Sequence, residues 1–250
     1  MNIAVIFAGG VGKRMQSKSL PKQFLLIHGK PIIIYTLEFF EHHDEIDAIV
    51  VACVESWIEY FRELLEKYSI SKVLKVVPGG ETGQISIYHG LVAAEDLVKK
   101  YGKTEKNIVL IHDGVRPLIT KELISLNLRS VEQFGSCITS APVKETLLTV
   151  DSNEFIASIP NRNDCRIARA PQSFYLEDII SAHRRALEDE ETNYIDSCSM
   201  MTHYGYKLHL INGPIQNIKI TTADDFYSMR AILDAQENAQ LYGFEHVTEG

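Results

Sequence analysis

The 250-residue chain has one tryptophan and only four cysteines, Cys53, Cys137, Cys165 and Cys198, none of them in a C-x-x-C pair. That spacing argues against a cysteine zinc site and a redox dithiol, and leaves reduced, partly buried thiols as the expectation. Long apolar runs are missing too. No window approaches the roughly 18 uninterrupted apolar residues that a membrane span needs, so no membrane partner is expected. The first apolar run, Ile3 to Ala8, is a strand's length with no basic segment before it. It does not read as a secretory signal, and a cytoplasmic chain is expected. Positive charge is also scarce: 25 Lys and Arg stand against 33 Asp and Glu, a formal net charge of -8. A nucleic-acid scaffold, which needs a broad basic surface, is therefore disfavoured. A small anionic ligand stays open, because it needs only a local group of cations and backbone amides.

Internal repeats and low-complexity tracts are absent as well. The length suits one large core, so residues 1–250 are expected to form a single domain. Short β-like runs at 3–8, 48–53, 73–77, 108–112 and 137–143 alternate with helical patterns around 32–42, 56–68, 84–100 and 120–134. That alternation predicts an α/β fold, a Rossmann-like, mostly parallel sheet with helices on both faces. Several strands are apolar throughout rather than alternating, as burial on both faces requires. Pro31, Thr82 and Thr120 stand where helices would open. Between about 144 and 170 the rhythm breaks into alternating residues around Asp151-Ser152-Asn153, which predicts a protruding β-hairpin arm. A helix over 176–190, a strand over 207–211 and a helix over 223–240 complete the reading.

The residues that suggest chemistry sit at strand ends. The first strand runs into Ala8-Gly9-Gly10-Val11-Gly12-Lys13-Arg14-Met15, and Pro21-Lys22-Gln23 follows. Glycines there let backbone N–H groups surround phosphate oxygens, and Arg14 and Lys22 add two cations. A dinucleotide fingerprint would need a third glycine where Met15 stands, and a Walker A loop would need Ser or Thr where Arg14 stands. A tight turn with solvated cations is the plainer alternative. His112-Asp113-Gly114-Val115-Arg116-Pro117 ends an apolar strand, where ligands bind in open α/β sheets. Asp113 could hold Mg²⁺ on a triphosphate and Arg116 could bond it or a phosphate. An Asp–Arg pair closing a turn is an equal reading. His112 is given no chemical role. Gly79-Gly80-Glu81-Thr82-Gly83-Gln84-Ile85-Ser86 enters a helix whose N-terminus favours an anion or a polar base edge. Lys219, in Asn217-Ile218-Lys219-Ile220-Thr221, is by default a solvated lysine.

In order, these segments and Pro171-Gln172-Ser173-Phe174 resemble the cytidylyltransferases that act on 2-C-methyl-D-erythritol 4-phosphate or D-ribitol 5-phosphate. The resemblance runs from residue 3 to about 233. It implies transfer of CMP from CTP to a small polyol phosphate, with Mg²⁺ or another divalent cation as cofactor. Arg14, Lys22 and Lys219 match the catalytic cations, and Asp113 matches the metal-facing carboxylate. Ala8, Gly9, Gly10, Gly12, Gly79, Gly80, Ser86 and Asp113 match positions around CTP. Arg116, Thr146, Arg162 and Asp196 match acceptor-binding positions, with Thr146 and Arg162 reaching across from the neighbouring subunit of a homodimer joined through the arm. Phe24 after Pro-Lys-Gln and Ser173-Phe174 after Pro-Gln look more like the ribitol-phosphate branch, which serves teichoic acid or capsule precursors. Ala170 and Gln216 depart from the Thr-Pro-Gln and Asp-Asn-Ile-Lys usual in the methylerythritol enzymes of isoprenoid biosynthesis, and Gly83 stands where an arginine is common. Rival readings are a catalytically silent nucleotide-binding paralogue and a dinucleotide-dependent oxidoreductase.

Overall fold

The computed structural model describes residues 1–9, 20–102 and 106–242. In chain order the strands are β1 (Asn2–Ala8), β2 (Leu26–Ile27), β3 (Lys30–Pro31), β4 (Ala48–Cys53), β5 (Val73–Pro78), β6 (Ile108–Asp113), β7 (Ser136–Pro142), β8 (Thr149–Val150), β9 (Ile156–Ser158), β10 (Arg166–Tyr175) and β11 (Leu210–Asn212). The helices are α1 (Ile32–Glu41), α2 (Ile58–Lys67), α3 (Gly83–Tyr101), α4 (Lys121–Phe134), α5 (Leu176–Glu188), α6 (Ser197–His203) and α7 (Ala223–Tyr242). No helix among the described residues is long and apolar enough to cross a membrane.

Seven strands form one sheet in the order β11-β7-β10-β6-β1-β4-β5. All neighbours run parallel except β10, which is antiparallel to both β6 and β7. Alternate side chains of each apolar strand divide the core in two. Ala4, Ile6 and Ala8 of β1 pack with α1, α2 and α4, while Ile3 and Val5 pack with α3, α5 and α6. This is why the strands carry unbroken apolar runs. Thr82 and Thr120 cap their helices, each hydroxyl accepting a backbone N–H three residues on at 3.2 Å. Gly135, with φ +82°, ends α4.

The sequence pattern predicts an arm extending to about residue 170. Instead, β10 begins at Arg166, and its far half is a buried central strand. Its composition hid it: Arg166, Arg169 and Pro171 break any apolar run, and proline argues against a central strand. Pro171 falls where the pairing with β7 shifts register, between Ala168 and Gln172, so its missing donor breaks no regular ladder. Helix α6 was also unforeseen, and the strand expected over 207–211 forms at Leu210–Asn212. The hairpin is present but short, with two and three residues in β8 and β9. Asp151 builds its turn, the carboxylate accepting from the N–H groups of Asn153 and Phe155.

Candidate functional site

The parallel strands end in loops that meet at one edge of the sheet. Gly9 follows β1 and Gly79 follows β5, and their backbones nearly touch. A Cβ on Gly79 would lie 3.2 Å from the Gly9 Cα and 3.4 Å from the Cys53 oxygen. This close approach favours glycine, since a methyl group there would have to displace its neighbours by a few tenths of an ångström. Ser86 holds the second loop, its hydroxyl accepting from Gly80 N at 2.9 Å and donating to Thr82 O at 2.9 Å. Beside them, Gln23 is buried and donates to the Ala8 carbonyl at 2.6 Å. Phe24, fully buried against Trp57, Tyr60 and Phe61, anchors the turn that carries Lys22. The Lys22 ammonium donates to the Ile220 carbonyl at 3.3 Å, next to Lys219. Gly10, Gly12 and Arg14 lie outside the described residues.

A cleft of about 360 Å³ opens beyond the end of β6 and beside the middle of β10, lined by Asp113, Arg116, Arg169, Gln172, Asp196 and Lys219 among others. Asp113 is 4% exposed. Its Oδ1 lies 2.5 Å from the Lys219 ammonium and its Oδ2 lies 3.2 Å from Arg116 Nε. Burial alone would raise this carboxyl, but Lys219 and Arg116 outweigh it and hold it at about 2. The pair is thus both the turn-closing contact and a buried group that stays charged at neutral pH. Arg116 also donates to the Asn217 carbonyl at 2.7 Å, and the Asn217 amide donates to Ala170 O at 2.8 Å. Asn217 therefore ties the Lys219 segment to both neighbouring strands. His112 Nε2 faces the Arg116 carbonyl at 3.0 Å and must carry the proton there. Burial pushes the imidazole down to about 4. A neutral turn-closing role suits it.

The far side of the cleft is held by side-chain amides. Gln172 donates to Asp196 Oδ2 at 3.0 Å and accepts from Cys198 N at 2.8 Å. Asp196 Oδ1 caps α6 through Ser199 N at 2.8 Å. Gln84 fixes the loop above, donating to Glu191 O and accepting from Tyr194 N. His183 closes the floor, and burial pushes it down to about 4. Neither of its ring nitrogens meets a hydrogen-bond partner among the described residues. Thr146 and Arg162 do not line this cleft. Both are exposed on the arm, and the Arg162 guanidinium donates to Lys144 O at 3.3 Å. Asp225 caps α7, its Oδ2 accepting from the N–H groups of Thr221 and Thr222 at 2.8 Å each.

Arg169, Gln84 and His183 were missed from the sequence. Arg169 had a usable signal, a cation three residues before the Gln of Pro-Gln-Ser-Phe, but it counts only once β10 is placed beside β6.

The donor chemistry of Asp113 fits a divalent cation. The carboxylate stays ionised, and its buried Oδ1 makes only the Lys219 contact among the described residues. Mg²⁺ is commonly bound by one or two carboxylates together with substrate phosphates.

Residues 2–235 match the family described as 2-C-methyl-D-erythritol 4-phosphate cytidylyltransferase (IspD). The chain is 53% identical to a ribitol-5-phosphate cytidylyltransferase of Vibrio parahaemolyticus, over 97% of this chain and all of that one. It is 38% identical to a 2-C-methyl-D-erythritol 4-phosphate cytidylyltransferase of Clostridium botulinum, over 93% of this chain and 97% of that one. The crystal structure of the 4-diphosphocytidyl-2C-methyl-D-erythritol synthase from Anaerococcus prevotii superposes with a TM-score of 0.78 at 25% identity, over 93% and 96% of the two chains.

Proposed function

The chain belongs to the IspD family of cytidylyltransferases, and from that premise we propose that it transfers CMP from CTP to the phosphate of D-ribitol 5-phosphate. The choice of acceptor rests on the 53% identity to a ribitol-5-phosphate enzyme against 38% to a methylerythritol one, each over nearly the whole chain. 2-C-Methyl-D-erythritol 4-phosphate is the second reading, supported by the family description itself. A panel assay decides between them: pyrophosphate release from CTP with D-ribitol 5-phosphate, 2-C-methyl-D-erythritol 4-phosphate or glycerol 3-phosphate. The ribitol ester should give the highest kcat/KM, and a higher value for either rival would overturn the assignment.

In the proposed reaction an acceptor phosphate oxygen attacks the α-phosphorus of CTP. The bond from that phosphorus to the bridging oxygen breaks, and pyrophosphate leaves. A phosphate monoester is already ionised near neutral pH, so no general base is needed and catalysis is positioning plus charge neutralisation. Lys219, beside Asp113, and Lys22, bonded to the Ile220 carbonyl next to it, supply two of the charges, with Arg14 proposed as the third. Asp113 would hold Mg²⁺ together with the triphosphate, the cation neutralising phosphate charge. Gly9, Gly79, Gly80 and Ser86 would receive the nucleotide, while Arg116 and Asp196 would face the acceptor. The four thiols are free, and burial raises Cys53 and Cys137 to about 11. Four free thiols support a reducing, cytoplasmic setting.

Two expected results follow from the geometry. Gly79→Ala should raise KM for CTP by about tenfold while changing KM for the acceptor little, because the new methyl group must push the Gly9 backbone aside. An unchanged KM for CTP would show that the two loops do not hold the nucleotide. The acid limb of the pH–rate profile should centre near about 6, the second ionisation of a phosphate monoester. Asp113 is depressed to about 2 and protonates only as pH falls through that value. His112 is lowered to about 4 and gains charge only below it. Neither group titrates between pH 5 and 9, so a limb centred near 4 would assign it to His112 rather than to the acceptor's phosphate.

The arm carries Leu148, Val150, Phe155, Ile156 and Ile159 in exposed positions. A hairpin this short is marginal alone, and contiguous apolar surface of this kind calls for a cover. Both points support a homodimer joined through the arm.

A further inference from the structure

Arg169 stands at the register shift of β10, between Ala168 and Gln172. Bulges of this kind re-aim side chains. Gln172 pairs with Ile111, so the residues just before it lie level with the Asp113 end of β6. The half-buried guanidinium lines the cleft. Its Nη1 donates to the carbonyls of Pro214, Ile215 and Asn217 at 3.1, 2.8 and 3.2 Å. The Asn217 oxygen also accepts from Arg116 Nη1 at 2.7 Å. Two guanidiniums therefore share a single acceptor oxygen.

No carboxylate among the described residues pairs with Arg169. Asp113 is taken by Lys219 and Arg116, and Asp196 by Gln172 and the start of α6. Burial first, and Arg116 second, lower the Arg169 pKa, so both disfavour its charge. Two neighbouring cations partly withdrawn from water, one without a counter-ion, favour an incoming anion. Three carbonyls fix Nη1, while no acceptor among the described residues engages Nε or Nη2, and a fixed planar fork suits a phosphate. The sheet order says which phosphate. The nucleotide loops follow β1 and β5, Asp113 ends β6, and Arg169 lies on β10, across β6 from β1. In an in-line transfer the attacking group stands opposite the leaving pyrophosphate.

We propose that Arg169, paired with Arg116, is a substrate-contacting residue that seats the acceptor's phosphate from the chain's own side of the cleft. This rests on the polyol-phosphate reading above and adds to it a residue that sets acceptor affinity. The competing role is a structural staple, in which Arg169 only ties down residues 214–217 behind Lys219.

Arg169→Gln and Arg169→Lys, made in the full chain, separate the two. KM for D-ribitol 5-phosphate should rise about 10- to 100-fold in Arg169→Gln, the loss expected of a charge-assisted hydrogen-bond pair. KM for CTP should stay within about twofold, and Arg169→Lys should recover part of the loss because it keeps the charge without the fork. In thermal unfolding without CTP, D-ribitol 5-phosphate or inorganic phosphate should raise the parent's Tm, and Arg169→Gln should lose that shift. An unchanged acceptor KM overturns the proposal. So does a parallel loss in kcat and both KM values with a lowered ligand-free Tm, the staple's signature. A parent silent with D-ribitol 5-phosphate overturns the choice of acceptor instead, and the inorganic-phosphate shift then decides Arg169: lost in Arg169→Gln if the seat is real, kept in full if not.

Discussion

Lys219→Ala is expected to lower kcat with CTP by roughly 100- to 1,000-fold, the usual consequence of removing one preorganised electrostatic donor, with the Tm within a few degrees of the parent. The side chain is 39% exposed, so little packing is lost. What goes is an ammonium lying 2.5 Å from a buried carboxylate and one residue from the Ile220 carbonyl that positions Lys22. Lys219 is one of the groups that depress Asp113, so its removal lets that carboxyl rise from about 2. Arg116 remains beside it, and the carboxylate stays ionised at neutral pH. The defect should therefore be the same at pH 7 and pH 8, marking it as lost charge at the phosphates rather than protonation of Asp113. Lys219→Arg should recover only part of the rate, because a planar fork does not replace a compact ammonium. Lys22→Ala should show a loss of similar size. Parent-like turnover in either alanine variant would remove that lysine from the mechanism, and a large fall in Tm would recast the loss as structural.

The parallel part of the fold was legible because its signal is local. Each of β1, β4 and β6 is an apolar run bounded by turn chemistry, and Thr82 and Thr120 announce their helices within three residues. β10 was not legible, since an antiparallel strand inserted between β6 and β7 takes its burial from residues some 30 to 60 positions away. The site divides in the same way. Asp113 could be placed at a strand end from sequence, but its two cations come from one turn and from a segment over a hundred residues downstream. Gln23 reads as part of a motif, whereas its bond to the Ala8 carbonyl, which fixes the turn carrying Lys22, needs both segments in space. Arg169 gains meaning only with the strand: without β10 it is one more arginine near the arm. The Asn217 oxygen that gathers Arg116 and Arg169 is a backbone atom, and no side-chain motif encodes it.

Mixing Arg162→Ala chains with Lys22→Ala chains, each nearly inactive alone, should restore activity in up to about half of the heterodimer's sites once subunits exchange. The expectation rests on the proposed trans contribution of Thr146 and Arg162 to the acceptor site. Within one chain neither residue lines the cleft, and Arg162 spends its described bond on the Lys144 carbonyl. The arm that carries them exposes Phe155 at 72% and Ile156 at 60%, surface that a second copy would cover. In a closed two-fold dimer the two arms are equivalent, so each would reach the partner's cleft. A heterodimer then assembles one site from the Lys22→Ala core and the Arg162→Ala arm, carrying both defects, and another from the intact core and the intact arm. If Arg162 acted in its own chain, every site would carry one defect and mixing would restore nothing. Exchange must be verified independently, for example by co-purification of differently tagged chains. Verified exchange with no recovery would leave the arm as a dimer contact or a lid over its own cleft, and the acceptor phosphate would then depend on Arg116 and Arg169 alone.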